Sequence, residues 1–267
     1  MIGRFLFLCL AACGLLAGSE PPQRIASYSP GATQTIRALG ASDQLVAVTR
    51  WCPLPPGHLA RRTCDAFNPD LEELLKTKPD LVILPRLTNP LWAERCERAG
   101  LRVLLLSAES PSAITKDLNL LASALGKEAN AEKIHLELTG IPAKKSQTLL
   151  VIWDGMMAGP DAYTALPLRR AGFKSPLKEG TWIKLDWEIL VSANPDAVLW
   201  IQSEPTNSPI APSEKYRLEM SKIPAVQGLK SVKSGEIFET TSGSDWLPGA
   251  GVAQAAQKLE KLCIAPK

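Results

Sequence analysis

One repeated segment constrains the fold more than any single element does. Asp70-Leu-Glu72-x-Leu74, followed by Pro79-Asp80-x-Val82, recurs as Asp186-Trp-Glu188-x-Leu190, followed by Pro195-Asp196-x-Val198. All six matched positions lie 116 residues apart. Each copy reads as an acid-started helix, a proline stop and a buried strand. Two halves built alike imply two α/β lobes facing each other. Asp80 and Asp196 stand at strand starts, far from the carboxyl ends, so a turn role is expected for both rather than a catalytic pair.

The segments around the repeat agree. Ile25–Tyr28 reads as a strand, then Ser29 caps and Pro30 opens a helix that closes at Gly40. Leu45–Val48, Leu81–Leu84 and Val103–Leu106 are short apolar strands, with helices between them. In the second half Leu149–Ile152, Ala197–Ile201 and Ile237–Thr240 are strands, and Gly249–Leu262 is a terminal helix. Strands alternating with helices, without hairpin signals, predict parallel sheets covered on both faces. From Ser112 to Leu138 apolar residues recur at three- and four-residue spacing, with Gly126 as the one breaker. As one helix of about 26 residues it would be roughly 39 Å long; two helices hinged at Gly126 are the alternative. The expected fold is α/β, two Rossmann-like lobes with parallel sheets joined by a single long helix. The expected division is 20–111 for the first lobe, 112–140 for the linking helix and 141–267 for the second lobe.

The first nineteen residues read as an export signal. Arg4 is the charged start, and the apolar run from Phe5 is too short to span a bilayer. Leu10-Ala11-Ala12-Cys13 matches a lipoprotein signal of residues 1–12 that would leave a lipidated Cys13. Ala17-Gly18-Ser19 matches an ordinary cleavage site and a signal of residues 1–19. Both exits place the protein outside the cytoplasm, periplasmic or on the outer face of a bacterial membrane, with a lipid anchor in the first case only. Export permits disulfides. Cys52 and Cys64 flank a Pro-rich loop; a bridge there would close about 13 residues and contribute roughly 3 kcal/mol. Free thiols are the alternative.

Composition excludes several functions. A net charge of +3 over 267 residues is too small to argue for nucleic acid. Two histidines, His58 and His135, do not suffice for a His-rich metal site or a Ser-His-Asp triad. No G-x-S-x-G, G-x-G-x-x-G or P-loop lysine is present. In parallel α/β sheets ligands gather beyond the carboxyl ends of the strands. Those ends carry Tyr28 and Ser29, then Arg50 and Trp51, then Arg86, then Trp153 and Met156, and finally Asp245 and Trp246. The aromatics would offer flat apolar surface to a large ring, and the arginines would meet its acceptor groups.

The segment "RIASYSPGATQTIRALGASDQLVAVTRWCPLPP" resembles the opening of class III substrate-binding proteins of ABC importers, the cobalamin and iron-siderophore type. "NPDLEELLKTKPDLVI" and "SDWLPGAGVAQAAQKLEKLC" resemble further segments of that family, the last that of its cobalamin-binding branch. The likeness covers about residues 24 to 262. It implies a non-catalytic extracytoplasmic receptor that takes a large metal chelate between its lobes and hands it to an importer permease. A corrinoid such as cobalamin comes first, and a ferric siderophore or haem is the alternative. The receptor would need no cofactor or metal ligand of its own and is expected to be a monomer. The resemblance places Trp51 and Trp246 on the cleft wall and Glu94 on the importer-docking face. Pro85, with Arg86 beside it, stands where the branch has another aromatic, and Leu247-Pro248-Gly249 stands where it has a second docking glutamate. An exported two-lobe enzyme using Asp154 or Asp245 is the rival from a different class.

Overall fold

The computed structural model describes residues 20–107, 109–140, 147–202, 218, 220–240 and 243–262. The expectations for the signal segment and Cys13 lie outside those residues. The first lobe is a four-stranded parallel sheet in the order β2-β1-β3-β4, formed by β1 (Ile25–Ser27), β2 (Leu45–Val48), β3 (Leu81–Pro85) and β4 (Arg102–Leu106). Helices α1 (Pro30–Ala38), α2 (Leu71–Lys76) and α3 (Pro90–Arg98) connect them. Alternation along β1 sends Ile25 into a cluster with Ile36, Leu118 and Leu121, and Ala26 into one with Leu84 and Trp92 on the other face.

The second sheet has five strands in the order β7-β6-β5-β8-β9. Its strands are β5 (Leu149–Trp153), β6 (Met156–Ala158), β7 (Trp182–Lys184), β8 (Ala197–Ile201) and β9 (Ile237–Thr240). β5, β8 and β9 are parallel, as expected, whereas β6 and β7 run antiparallel and make the sheet mixed. The cause is a two-residue hairpin at Asp154-Gly155, whose φ angles are 47° and 77°. An Asp-Gly pair adopts such left-handed geometry readily. The second lobe also contains α6 (Ala165–Arg170), α7 (Trp187–Ala193), α8 (Pro224–Gln227), α9 (Lys230–Ser234) and α10 (Val252–Leu262).

The repeat is real in three dimensions. Asp70 caps α2 by accepting from the Glu72 and Glu73 amides, and Asp186 caps α7 by accepting from those of Glu188 and Ile189. The Asp80 carboxylate accepts from the Gln23 and Arg24 amides just before β1. The Asp196 carboxylate accepts from the amide and hydroxyl of Thr148, just before β5. Each aspartate ties the start of one parallel strand to its neighbour, the turn role the spacing implied.

The linking segment departs from a single helix. α4 (Pro111–Leu125) stops at Gly126, which takes the left-handed φ of 63°, and α5 (Glu128–Thr139) begins after it. Glycine adopts that conformation without strain, and it terminates helices. α4 packs against α1 and α5, while α5 meets α6 and α10 of the second lobe. The connection is therefore a helix–turn–helix, each arm serving one lobe. The cleft survives the break because α4 alone supplies its floor, through Ile114, Asp117, Leu118 and Leu121.

Candidate binding cleft

The elbow after β1 is the pivot of the site. Ser29 caps α1 by accepting from the Ala32 amide at 3.2 Å, and Pro30 occupies the first helical turn. Beneath it, Thr33 Oγ1 donates to Ser27 Oγ at 2.9 Å and lies 3.1 Å from Cys52 Sγ. Thr49 Oγ1 is 3.2 Å from the same sulfur. This hydroxyl–thiol network fixes the ends of β1 and β2 relative to α1.

Two concavities flank the elbow. The inner one, of about 430 Å³, lies between the lobes and includes Ser29, Arg86, Asp117, Tyr163, Trp182 and Gly249 in its lining. The outer one, of about 480 Å³, lies on the first lobe, with Tyr28, Pro30 and Cys64 beside Arg50, Trp51, Arg62 and Phe67. Both are of ordinary size for a small-molecule site, where about 300–1,000 Å³ is typical. The outer basin exposes aromatic surface: Trp51 is 49% and Phe67 is 89% exposed. Arg50 stacks on Trp51, its guanidinium carbon 4.7 Å from the ring centroid. Arg62 braces the loop by donating to the carbonyls of Thr49, Arg50 and Cys52. Phe67 stands on a turn that Asp65 makes by accepting from the Phe67 and Asn68 amides, which holds the Asp65 carboxyl below its usual range.

Ser29 and Arg86 line the inner cavity, and Arg50, Trp51 and Tyr28 line the outer basin. Tyr28 is almost wholly buried, edge-on to Trp92 at 6.0 Å, and burial pushes its phenol up. Trp153 is half-buried and packs edge-on against Trp182 at 6.4 Å, and Trp182 tilts against Tyr163 at 5.7 Å. Trp153 thus supports the cavity wall from behind. Met156 is half-buried at the hairpin, paired with Trp153 across the strands. Glu94 is exposed on α3, in an ion pair with Arg98 at 3.3 Å.

Two expectations are corrected. Trp246 contributes no cleft surface: it is 2% exposed and packs among Phe173, Ala255 and Leu259, where its large apolar area is best removed from water. Cys52 and Cys64 form no disulfide; both are free and buried. Cys52 faces the α1 side of the sheet with Thr33 and Thr49, whereas Cys64 faces the other side with Tyr28 and Trp92. Burial pushes the Cys64 thiol up, so it stays protonated at neutral pH. The two carboxylates of the enzyme reading have local duties. Asp154 forms the hairpin turn and Asp245 pairs with Lys258. Among the described residues no cluster of three or more His, Cys, Asp or Glu could hold a metal.

Phe67, Tyr163, Trp182 and Asp117 were not anticipated. Phe67 left a signal in the lone aromatic after the turn-forming Asp65. Asp117 left a clearer one, a carboxylate on the apolar stripe of α4 between Ile114 and Leu121. Trp182 lies on an antiparallel strand that the parallel reading did not contain.

Two α/β lobes with a cleft at their strand ends define a ligand-receptor architecture. The periplasmic binding protein family matches residues 25–243, and the chain belongs to it. It is 32% identical over 141 residues to a vitamin B12-binding protein of Pectobacterium carotovorum, covering 50% of this chain and 49% of that one. It is 24% identical over 197 residues to a cobalamin-binding protein of Halobacterium salinarum, covering 67% of this chain and 53% of that one. The chain thus spans about half the length of these curated relatives. A periplasmic heme binding protein of Vibrio cholerae shares the fold with a TM-score of 0.75 at 20% identity, covering 91% of this chain and 99% of that one. A periplasmic vitamin B12 binding protein of the same organism gives 0.65 at 18% identity, covering 91% and 96%.

Proposed function

We propose that this chain is a non-catalytic extracytoplasmic receptor that captures a large metal chelate, a corrinoid first, and delivers it to an ABC importer. The observation that carries the reading is the outer basin. A folded protein gains nothing in stability by holding Trp51 and Phe67 exposed beside a concavity, but a planar ligand gains a stacking surface there. Arg50, stacked on Trp51, offers donors to an acceptor group on the ring edge. A corrinoid exceeds the inner cavity, so the ring would sit over the basin and one arm would enter between the lobes. Binding of this kind needs shape, stacking and hydrogen bonds, and no bond is made or broken. Likeness to proteins named for vitamin B12 and cobalamin supports a corrinoid over other chelates. The second reading, haem or a ferric siderophore, is favoured by Pro85 and Arg86, since Arg86 at the cavity mouth could meet a carboxylate or hydroxamate oxygen.

Tryptophan fluorescence decides among these. Titration with cyanocobalamin, haemin and a ferric hydroxamate should give saturable quenching at micromolar concentration with cyanocobalamin foremost. No quenching by any of the three overturns the chelate reading. Glu94, exposed on α3, is the proposed contact to the permease; Glu94→Lys should weaken complex formation with the importer while leaving ligand affinity intact. The mass of the mature N-terminus distinguishes a lipidated Cys13 from a chain starting at Glu20.

A further inference from the structure

We propose that the Tyr163 hydroxyl is the hydrogen-bond donor that reads an uncharged carbonyl oxygen on the arm of the ligand entering the inner cavity. This rests on the chelate reading above and names the group that would fix the arm. Tyr163 stands two residues before α6 and lines the cavity from the second lobe. It is 8% exposed and belongs to the cluster that holds Leu118 and Leu121 of α4, so its ring packs toward the first lobe. Trp182 tilts against that ring at 5.7 Å, and Trp153 meets Trp182 edge-on at 6.4 Å. Three rings in series leave the phenol little freedom to turn, which is the rigidity a specific contact needs. Yet the hydroxyl makes no hydrogen bond to any described residue, although a buried tyrosine ordinarily finds one. Burial alone pushes the phenol up, with no neighbouring charge or hydrogen bond contributing, so it keeps its proton at neutral pH and can donate. Other cavity hydroxyls are already engaged. Ser29 caps α1, and Thr35 bonds the Gly31 carbonyl and the Ala250 amide.

Selectivity follows from desolvation. An arm that fills the cavity shuts the phenol away from solvent, and the hydroxyl is then left unpaired unless the arm brings an acceptor. A site holding such a group rejects an analogue that lacks the matching atom, because the buried donor stays unsatisfied. A neutral phenol among Ile114, Leu118 and Leu121 suits a neutral acceptor. An ionised group placed against it would exchange full hydration for one uncharged hydrogen bond. Corrinoids carry peripheral carboxamide arms, whereas haem carries carboxylates, so the phenol favours the corrinoid.

Isothermal titration of wild type and Tyr163→Phe tests the assignment, with cyanocobalamin and with dicyanocobinamide, which keeps the ring amides and lacks the nucleotide. The variant retains the ring and loses only an unpartnered hydroxyl. Its thermal midpoint should therefore be unchanged or raised, while both probes bind about three- to tenfold more weakly, the scale of one hydrogen bond. Equal affinity of the two proteins for cyanocobalamin overturns the assignment and leaves the corrinoid reading standing. A loss confined to cyanocobalamin moves the contact to the nucleotide and overturns the amide partner. A midpoint lowered by several degrees shows that the hydroxyl serves the fold, and overturns the assignment as well. Binding of neither probe by wild type overturns the corrinoid reading and the assignment together.

Discussion

Aromatic residues of one type serve opposite ends here, and substitution separates them. Trp51 is half exposed over the basin, while Trp246 is buried in the second core. Trp51→Ala should weaken ligand binding about tenfold or more, the scale of a lost stacking anchor, with little change in thermal midpoint. Trp246→Ala should cost about 3–5 kcal/mol of stability, seen in urea denaturation, because it leaves a cavity. The thiols give a second residue-scale outcome. Because Cys52 and Cys64 are free and packed on opposite faces, reductant should not move the thermal midpoint, and both should react with a thiol reagent only after unfolding. A midpoint that falls with reductant would restore the bridge. Asp196 carries the pH dependence. The Thr148 amide, then its hydroxyl, then Lys230 hold the Asp196 carboxyl below its ordinary value. A depressed carboxylate stabilises the fold above its unfolded value, about 3.9, and that contribution is lost as pH falls through the folded value. Its side chain is 32% exposed and its Lys230 partner is more so, which screens the ion pair. Asp196→Ala should therefore cost about 1 kcal/mol at pH 7 by urea denaturation, with the gap closing below about pH 4.

At the scale of elements, the sequence revealed what local chemistry decides. The Ser29 cap, the two aspartate caps and the proline stops set their helices without help from distant residues, and the 116-residue offset carried the pairing of the lobes. What stayed hidden depends on long-range packing. Asp154-Gly155 lies between apolar runs and is a hairpin signal in its own right, yet only the antiparallel partners Met157 and Ile183 reveal that the sheet is mixed. Trp182 could not be placed without that strand. Phe67 is set by an Asx turn, whose effect on exposure is tertiary. The linker is intermediate: periodicity continues across Gly126, but the chain turns there, and α4 packs against α1 and α5 while α5 reaches α6 and α10. Gly126→Ala tests the turn. A left-handed φ costs a non-glycine residue about 1–2 kcal/mol, so the variant should lose that much stability in urea denaturation. An unchanged or raised stability would mean that the straight helix is accessible.

At the scale of the whole molecule, the lobes meet through backbone. A Cβ on Gly31 of α1 would lie 1.9 Å from the Pro248 carbonyl oxygen, and one on Gly249 would lie 2.3 Å from the Gly31 carbonyl oxygen. Thr35 completes the contact, accepting from the Ala250 amide and donating to the Gly31 carbonyl, each at 3.0 Å. Thr35, Pro248 and Gly249 border the inner cavity, and Ala250 joins a core cluster that runs from α1 and α4 to Tyr163 and Val252 of the second lobe. Leu247-Pro248-Gly249 therefore builds a tight junction between lobes. One edge of the cleft is stitched shut, so under the proposed receptor reading a ligand would enter from the side of the basin, and closure around it would be a small shear rather than a wide hinge. Two measurements follow. The radius of gyration from solution scattering should change little on ligand saturation. Gly31→Ala should force the lobes apart at this edge, since backbone on both sides has no flexible end to yield. It should cost about 1–3 kcal/mol, as overpacking does, and raise the hydrogen-exchange rate of the Ala250 amide. A Gly31→Ala variant with unchanged stability and unchanged Ala250 protection would show that the lobes do not touch there, and the basin would then not be the required entrance.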